Sequence, residues 1–205
     1  MIRRPPISTL FPYTTLFRSD MQKSELNGLV EVDRLFIGSH SFANFLCEKI
    51  PSLYPKKINI VGIPIFIEPV LNNEKEKNSI LWNHRLQKQK NPWVLFELDE
   101  MVKKNLIICT PEALSAAYSK EMKAHEVIFK KIIRDNGKKR QSYLSELRSA
   151  RFIFSTSEHE TWGNSMIEGI MNGCIPLAPD GDLCSYKELY PSEFLYPQEL
   201  IKKEN

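Results

Sequence analysis

The chain has 205 residues, 42% hydrophobic and 26% charged, with 28 Lys+Arg against 25 Asp+Glu for a formal charge of +3. This composition supports one or two packed domains and excludes a disordered chain. It holds no run of roughly eighteen uninterrupted apolar residues, which excludes a spanning helix from the sequence.

The excess charge is local. Residues 1–19 (MIRRPPISTLFPYTTLFRS) contain Arg3, Arg4 and Arg18 and no acid, so 20–205 is neutral and the +3 offers no electrostatic footprint for nucleic acid. Pro5, Pro6 and Pro12 would break a targeting helix, and the segment lacks the apolar core of a secretory signal. It resembles the conceptual translation of a sequencing adapter. The expectation is a segment extraneous to the fold and a natural protein longer at its N-terminus. Cys47, Cys109, Cys174 and Cys184 share no metal-type spacing; with no export signal they read as small hydrophobes in a reduced cytoplasm.

Val30–Ile37 ends in an apolar run, and Phe42, Phe45, Leu46 and Ile50 then recur at helical spacing behind a cap at Ser39 or Ser41. KINIVGIPIFI predicts a short strand that bends at Gly62 and Pro64, and 68–79 reads as a polar linker. From residue 80 strands and helices alternate, the mark of a parallel sheet covered by helices. Ile80–Trp82 is a strand; Asn91 and Pro92 open a helix with Val94, Leu95, Leu98, Met101 and Val102 on one face; Leu106–Cys109 is the next strand. Residues 112–134 read mostly as helix, although Val127–Ile133 can hold a short strand. Tyr143–Ala150 is helical, Phe152–Ser155 a strand, Asn164–Asn172 a helix stopped by Gly173, and Ile175–Ala178 a strand. Ser185–Leu189 and Glu193–Tyr196 supply one more helix and strand.

In an open parallel sheet, ligands sit beyond the carboxyl ends of the strands. Three such loops carry polar groups. Asn83, His84, Arg85 and Lys90 follow the first strand of this region, and the spacing of Arg85 and Lys90 lets two cations converge on a diphosphate. The segment 157–168 (SEHETWGNSMIE) follows Phe152–Ser155 and opens a helix. Gly163 permits close backbone approach there, and free N–H groups of Asn164, Ser165 and Met166 favour an anion. Glu160 and Glu168 flank that anion site, and carboxylates bind sugar diols while repelling phosphate. The implied ligand has both groups. Pro179-Asp180-Gly181-Asp182 reads as a turn that can also lend backbone groups to the pocket. His84 and His159 adjoin these motifs and shape the pocket rather than catalyse.

These residues resemble the donor-binding half of a GT-B glycosyltransferase of family 4. The resemblance implies an α/β Rossmann-like domain in which Arg85 and Lys90 hold the donor diphosphate, Glu160 contacts the donor sugar and Glu168 the nucleotide ribose. Gly163, Asn164 and Ser165 then supply amides to the sugar diphosphate. ILWNHRLQKQKNP, TSEHETWGNSMIEGIMNGCIPLAPD and YPSEFLYPQEL further resemble the tRNA-queuosine alpha-mannosyltransferases and their bacterial relatives. Leu86, Gln87 and Trp162 depart from their pattern, and 110–141 matches poorly. The resemblance implies GDP-mannose as donor, queuosine in tRNA as acceptor, retention of configuration, and no metal or cofactor. With 1–19 set aside as extraneous and 68–79 read as a linker, it implies the tail of an acceptor domain at 20–67 and the donor domain at 80–205. The chain is then an N-terminally truncated fragment, inactive by itself. A general family-4 enzyme of envelope glycan synthesis, using a UDP- or GDP-sugar, and a non-catalytic nucleotide-sugar-binding fragment remain alternatives.

Overall fold

Two parallel sheets organise the chain. A computed structural model describes residues 8–9, 29–53, 57–62, 74–111, 128–135, 140–182 and 184–201. The smaller sheet has order β1-β2-β3, with β1 at Ser8–Thr9, β2 at Arg34–Ile37 and β3 at Ile58–Ile60. Ser8 and Thr9, within the segment set aside from the fold on sequence grounds, pair with Arg34 and Leu35 and give one edge of β2 its backbone partners. Helix α1, His40–Lys49, lays Phe42 and Leu46 against Leu35 and Ile37. Of the two candidate caps, Ser39 is the one used: its hydroxyl accepts from Phe42 N at 3.3 Å. The first turn of α1 carries no acid of its own. Glu188 supplies one from the far end of the chain, accepting from His40 N at 2.8 Å and from the N–H and hydroxyl of Ser41.

The larger sheet comprises β4 (Glu76–Trp82), β5 (Leu106–Pro111), β6 (Lys131–Asp135), β7 (Ala150–Phe154), β8 (Ile175–Asp180) and β9 (Leu195–Pro197). Its order is β6-β5-β4-β7-β8-β9 with every neighbouring pair parallel. The chain winds outward from β4 to β6, then returns to the other side of β4 as β7. That reversal makes a topological switch point between β4 and β7. Both faces are buried, as strand alternation requires. Leu81, Ile107, Cys109 and Ile153 face Leu144 and Leu147 of α4 (Arg140–Ser149) and Met166 of α5 (Asn164–Met171). Trp82, Leu106 and Ile108 face Leu95 of α2 (Val94–Glu97) and Phe129. A short helix α6, Tyr186–Leu189, packs Tyr186 into the first of these clusters.

Several sequence-based boundaries move. β4 begins at Glu76, so the last four residues of the expected linker are strand; 68–73 lie outside the described residues. The Ser79 hydroxyl accepts the Arg151 N–H at 3.1 Å and carries the ladder past a register shift between Glu76 and Ile80. The single helix expected after Asn91 is two short turns, α2 and α3 (Glu100–Lys103). Leu98 leaves the helical region at ψ 151°, and Asp99 starts the second turn by accepting from Met101 N at 2.8 Å. Met101, expected on the apolar face, is 74% exposed. Asn91 does not cap a helix start but ends the 3-10 turn Lys88–Lys90 with φ 45°. The strand alternative within 112–134 is realised as β6, while 112–127 falls outside the described residues. Ala150 belongs to β7 rather than to the helix before it.

Candidate functional site

The loops that leave β4 and β7 face each other across the switch point and are tied together from beneath. Buried Trp82 donates through Nε1 to Thr156 Oγ1 at 2.9 Å, and that hydroxyl donates onward to the Lys90 carbonyl at 2.6 Å. Glu158 N donates to the Gln89 carbonyl at 3.2 Å. Between the loops opens a cleft of about 310 Å³. Nine of the residues singled out from the sequence line it: Asn83, His84, Arg85, Lys90, His159, Glu160, Gly163, Asn164 and Ser165. Gln87, Gln89, Thr161 and Trp162 complete the wall. The two glutamines lie between the paired cations, and that position was the available signal for them.

At the centre, Lys90 Nζ and Glu160 Oε2 form an ion pair at 2.6 Å with each side chain 15% exposed. Arg85 stands exposed at the rim. The Glu160 backbone is held by a bridge to Cys184 and by Ser185 N, which donates to its carbonyl at 2.9 Å. Burial and the Glu160 charge push the Cys184 thiol up to about 12, and the same two causes raise the Tyr186 phenol. Glu160 therefore backs onto neutral groups, with Lys90 as its charged partner.

Gly163 caps α5 in the left-handed region at φ 79°. A Cβ there would lie 2.6 Å from Tyr186 Cε1, so only glycine fits this close approach. Of the three amides expected at the mouth of α5, Met166 N is already used, donating to the Gly163 carbonyl at 2.9 Å. Asn164 and Ser165 hold the first-turn positions whose N–H groups have no intrahelical acceptor. The Trp162 ring reaches back to Gly62, into the space a side chain there would fill.

His84 is buried against Trp82, ring centroids 5.3 Å apart, with Nδ1 3.4 Å from Ser165 Oγ. Burial, and then the charge of Lys90, holds its imidazole well below the usual histidine range. His159 is lowered as well, chiefly by burial and against the opposing charge of Glu158. Both rings are neutral near pH 7.

Glu168 departs from expectation: it is not among the residues lining the cleft. One turn inside α5, its Oε2 accepts from Tyr143 Oη at 2.7 Å, and Tyr143 accepts from Asn83 Nδ2 at 2.8 Å. The loop at 179–182 departs too, since none of its residues lines the cleft. Asp180 and Asp182 flank a separate depression, each 3.1 Å from Lys187 Nζ. Among the described residues no group of three His, Cys, Asp or Glu side chains is placed to hold a metal ion, and no helix is long and apolar enough to cross a membrane.

No family model matches the chain. It is 30% identical over 122 residues to a tRNA-queuosine alpha-mannosyltransferase of Drosophila melanogaster, a match covering 57% of this chain and 32% of that protein. The chain thus spans about a third of the curated relative it matches. Among solved structures it is similar to TarM of S. aureus, with TM-score 0.67 and 14% identity over 92% of this chain and 39% of that one. It is also similar to the pneumococcal O-GlcNAc transferase GtfA, solved with UDP and GlcNAc, with TM-score 0.65 and 14% identity over 87% of this chain and 38% of that one. Sucrose-phosphate synthase of Thermosynechococcus elongatus matches at TM-score 0.66 and 13% identity, covering 90% of this chain and 51% of that one. At these identities the likeness is one of fold: the chain folds like part of these GT-B glycosyltransferases.

Proposed function

We propose that these residues form the donor side of a glycosyltransferase that moves a hexose from a nucleoside diphosphate sugar to an acceptor hydroxyl. The observation that carries this reading is the Lys90–Glu160 pair at the N-terminus of α5, in a cleft at the switch point of a GT-B-type sheet. One ligand with a diphosphate and a sugar satisfies both charges. In this reading Lys90, Arg85 and the first amides of α5 bind the diphosphate. They stabilise the charge that develops on it as the bond from the anomeric carbon to the leaving oxygen breaks and the bond to the acceptor oxygen forms. Glu160, in the cleft wall, accepts from sugar hydroxyls; Glu168, outside that wall and linked to it through Tyr143 and Asn83, is assigned the ribose hydroxyls by the family resemblance. Two cations and two amides supply the neutralisation, so the reading invokes no metal.

The match to the queuosine enzyme supports mannose as the sugar and queuosine in tRNA as the acceptor; GDP-mannose as the donor and retention of configuration are part of the same proposal and come from the family resemblance of the motifs. A UDP-sugar is the second reading, supported by the UDP bound to solved neighbours of the same fold. Calorimetry with GDP-mannose, GDP and UDP separates them. Heat is expected with GDP and GDP-mannose, and it should vanish in Arg85→Ala/Lys90→Ala. Stronger binding of UDP than of GDP would favour the second reading. No heat with any of the three, or unchanged binding in the double variant, refutes the donor site.

A further inference from the structure

A third side chain completes the apparatus around Glu168. We infer that Tyr143 of α4 is a positioning residue that fixes the Glu168 carboxylate for the ribose of the donor nucleotide; the inference rests on the donor reading above. Three elements meet at its hydroxyl. Asn83, from the loop after β4, donates Nδ2 to Tyr143 Oη at 2.8 Å and to the Ser165 carbonyl at 3.1 Å. Because the amide occupies the acceptor side of the phenol, the phenolic proton is committed to Glu168 Oε2, 2.7 Å away. Asn83 and Ser165 both line the cleft, so the chain Asn83–Tyr143–Glu168 runs directly from the cleft wall to the second carboxylate. Leu144 and Leu147, buried on the same helix, anchor α4 against the sheet, and the tyrosine cannot drift without disturbing them.

The chemistry suits the task. A phenol pointing at a carboxylate is a charge-assisted donor, worth more than a neutral bond and directional. Burial first, and then the Glu168 charge, raises the Tyr143 phenol above its ordinary range. It stays protonated, a donor at every working pH. Holding one carboxylate oxygen this way restricts the directions the carboxylate can take, and a diol needs acceptor lone pairs in defined directions.

The test is calorimetry on the full chain with GDP, 2′,3′-dideoxy-GDP and inorganic pyrophosphate, for the wild type and Tyr143→Phe. Tyr143→Phe should weaken GDP roughly tenfold, one charge-assisted hydrogen bond's worth, and leave pyrophosphate unchanged. The penalty should disappear with 2′,3′-dideoxy-GDP and should not add to that of Glu168→Gln. A merely structural role would weaken all three ligands together, and that result overturns the inference, as does unchanged GDP affinity in a variant that melts with the wild type. If the wild type binds neither GDP nor pyrophosphate, the donor reading itself falls and the inference with it. Should Tyr143→Phe fold poorly, Asn83→Asp removes the donor to the phenol; its new carboxylate in the cleft weakens all three ligands through their phosphates, so the readout is the extra loss of GDP over 2′,3′-dideoxy-GDP, and without that extra loss the inference fails.

Discussion

Replacing Glu160 with Gln should tighten the binding of bare diphosphate, an outcome opposite to the usual loss at a site residue. Lys90 Nζ is 2.6 Å from Glu160 Oε2 and both side chains keep 15% exposure, so an incoming anion must share the lysine with a carboxylate already beside it. Unit charges about 4 Å apart interact by about 4 kcal/mol at an effective dielectric of about 20, while exposed pairs measure ~1 kcal/mol or less. A partly wet pair lies between these limits, and the amide keeps a weak hydrogen bond to Lys90. A net gain of about 1.4 kcal/mol, roughly tenfold in affinity, is the expected size. Titrating pyrophosphate into wild type and Glu160→Gln at low and high salt measures it, and the advantage of the variant should shrink as salt screens the site. GDP-mannose should show a smaller gain than pyrophosphate, because the variant also loses the acceptor for sugar hydroxyls. Equal or weaker pyrophosphate binding by Glu160→Gln would refute the claim that carboxylate and diphosphate compete for one lysine.

Gly163→Ala combines a φ of 79° with a Cβ 2.6 Å from Tyr186 Cε1. It should cost about 2–4 kcal/mol of stability, and an unchanged midpoint of urea unfolding would contradict this. His84 gives a dependence on pH whose sign follows from its depressed folded pKa. The unfolded imidazole, titrating near pH ~6.5, takes up its proton first, so the stability tied to neutral His84 is full above that pH and is lost as pH falls below it. His159 acts in the same direction. The check is therefore a difference: urea unfolding at about pH 7.5 and 5.5 should show a shallower loss in His84→Gln than in wild type, and equal losses would remove His84 from the account.

The strand and helix alternation from residue 80 is legible because both faces of the sheet are buried, which leaves short apolar runs broken by polar loops. The cations and the first glutamate are legible for a related reason: they sit in the loops at strand ends, next to the elements that place them. What escapes the sequence depends on distant partners. The direction of Glu168 is set by Tyr143 and Asn83, and the Asn83–Tyr143 contact joins residues 60 apart. The broken helix after Asn91 escapes for a local reason. Leu98 and Met101 keep the apolar spacing of one helix, yet the Asp99 side chain competes for a backbone N–H and restarts the turn. Periodicity cannot register that competition.

The carboxylate at the start of α1 bears on how the chain folds. A cap taken from the same helix can form as soon as the first turn does. Glu188 lies 148 residues from His40, and its bonds close only once α6 has docked beside β8. Contacts of such separation are expected to close late in folding. Changes at Glu188 should then act on the rate at which the molecule comes apart more than on the rate at which it assembles. The bonds from Glu188 tie the helix that covers the smaller sheet to the larger one, so loss of α6 from its place should also loosen the start of α1.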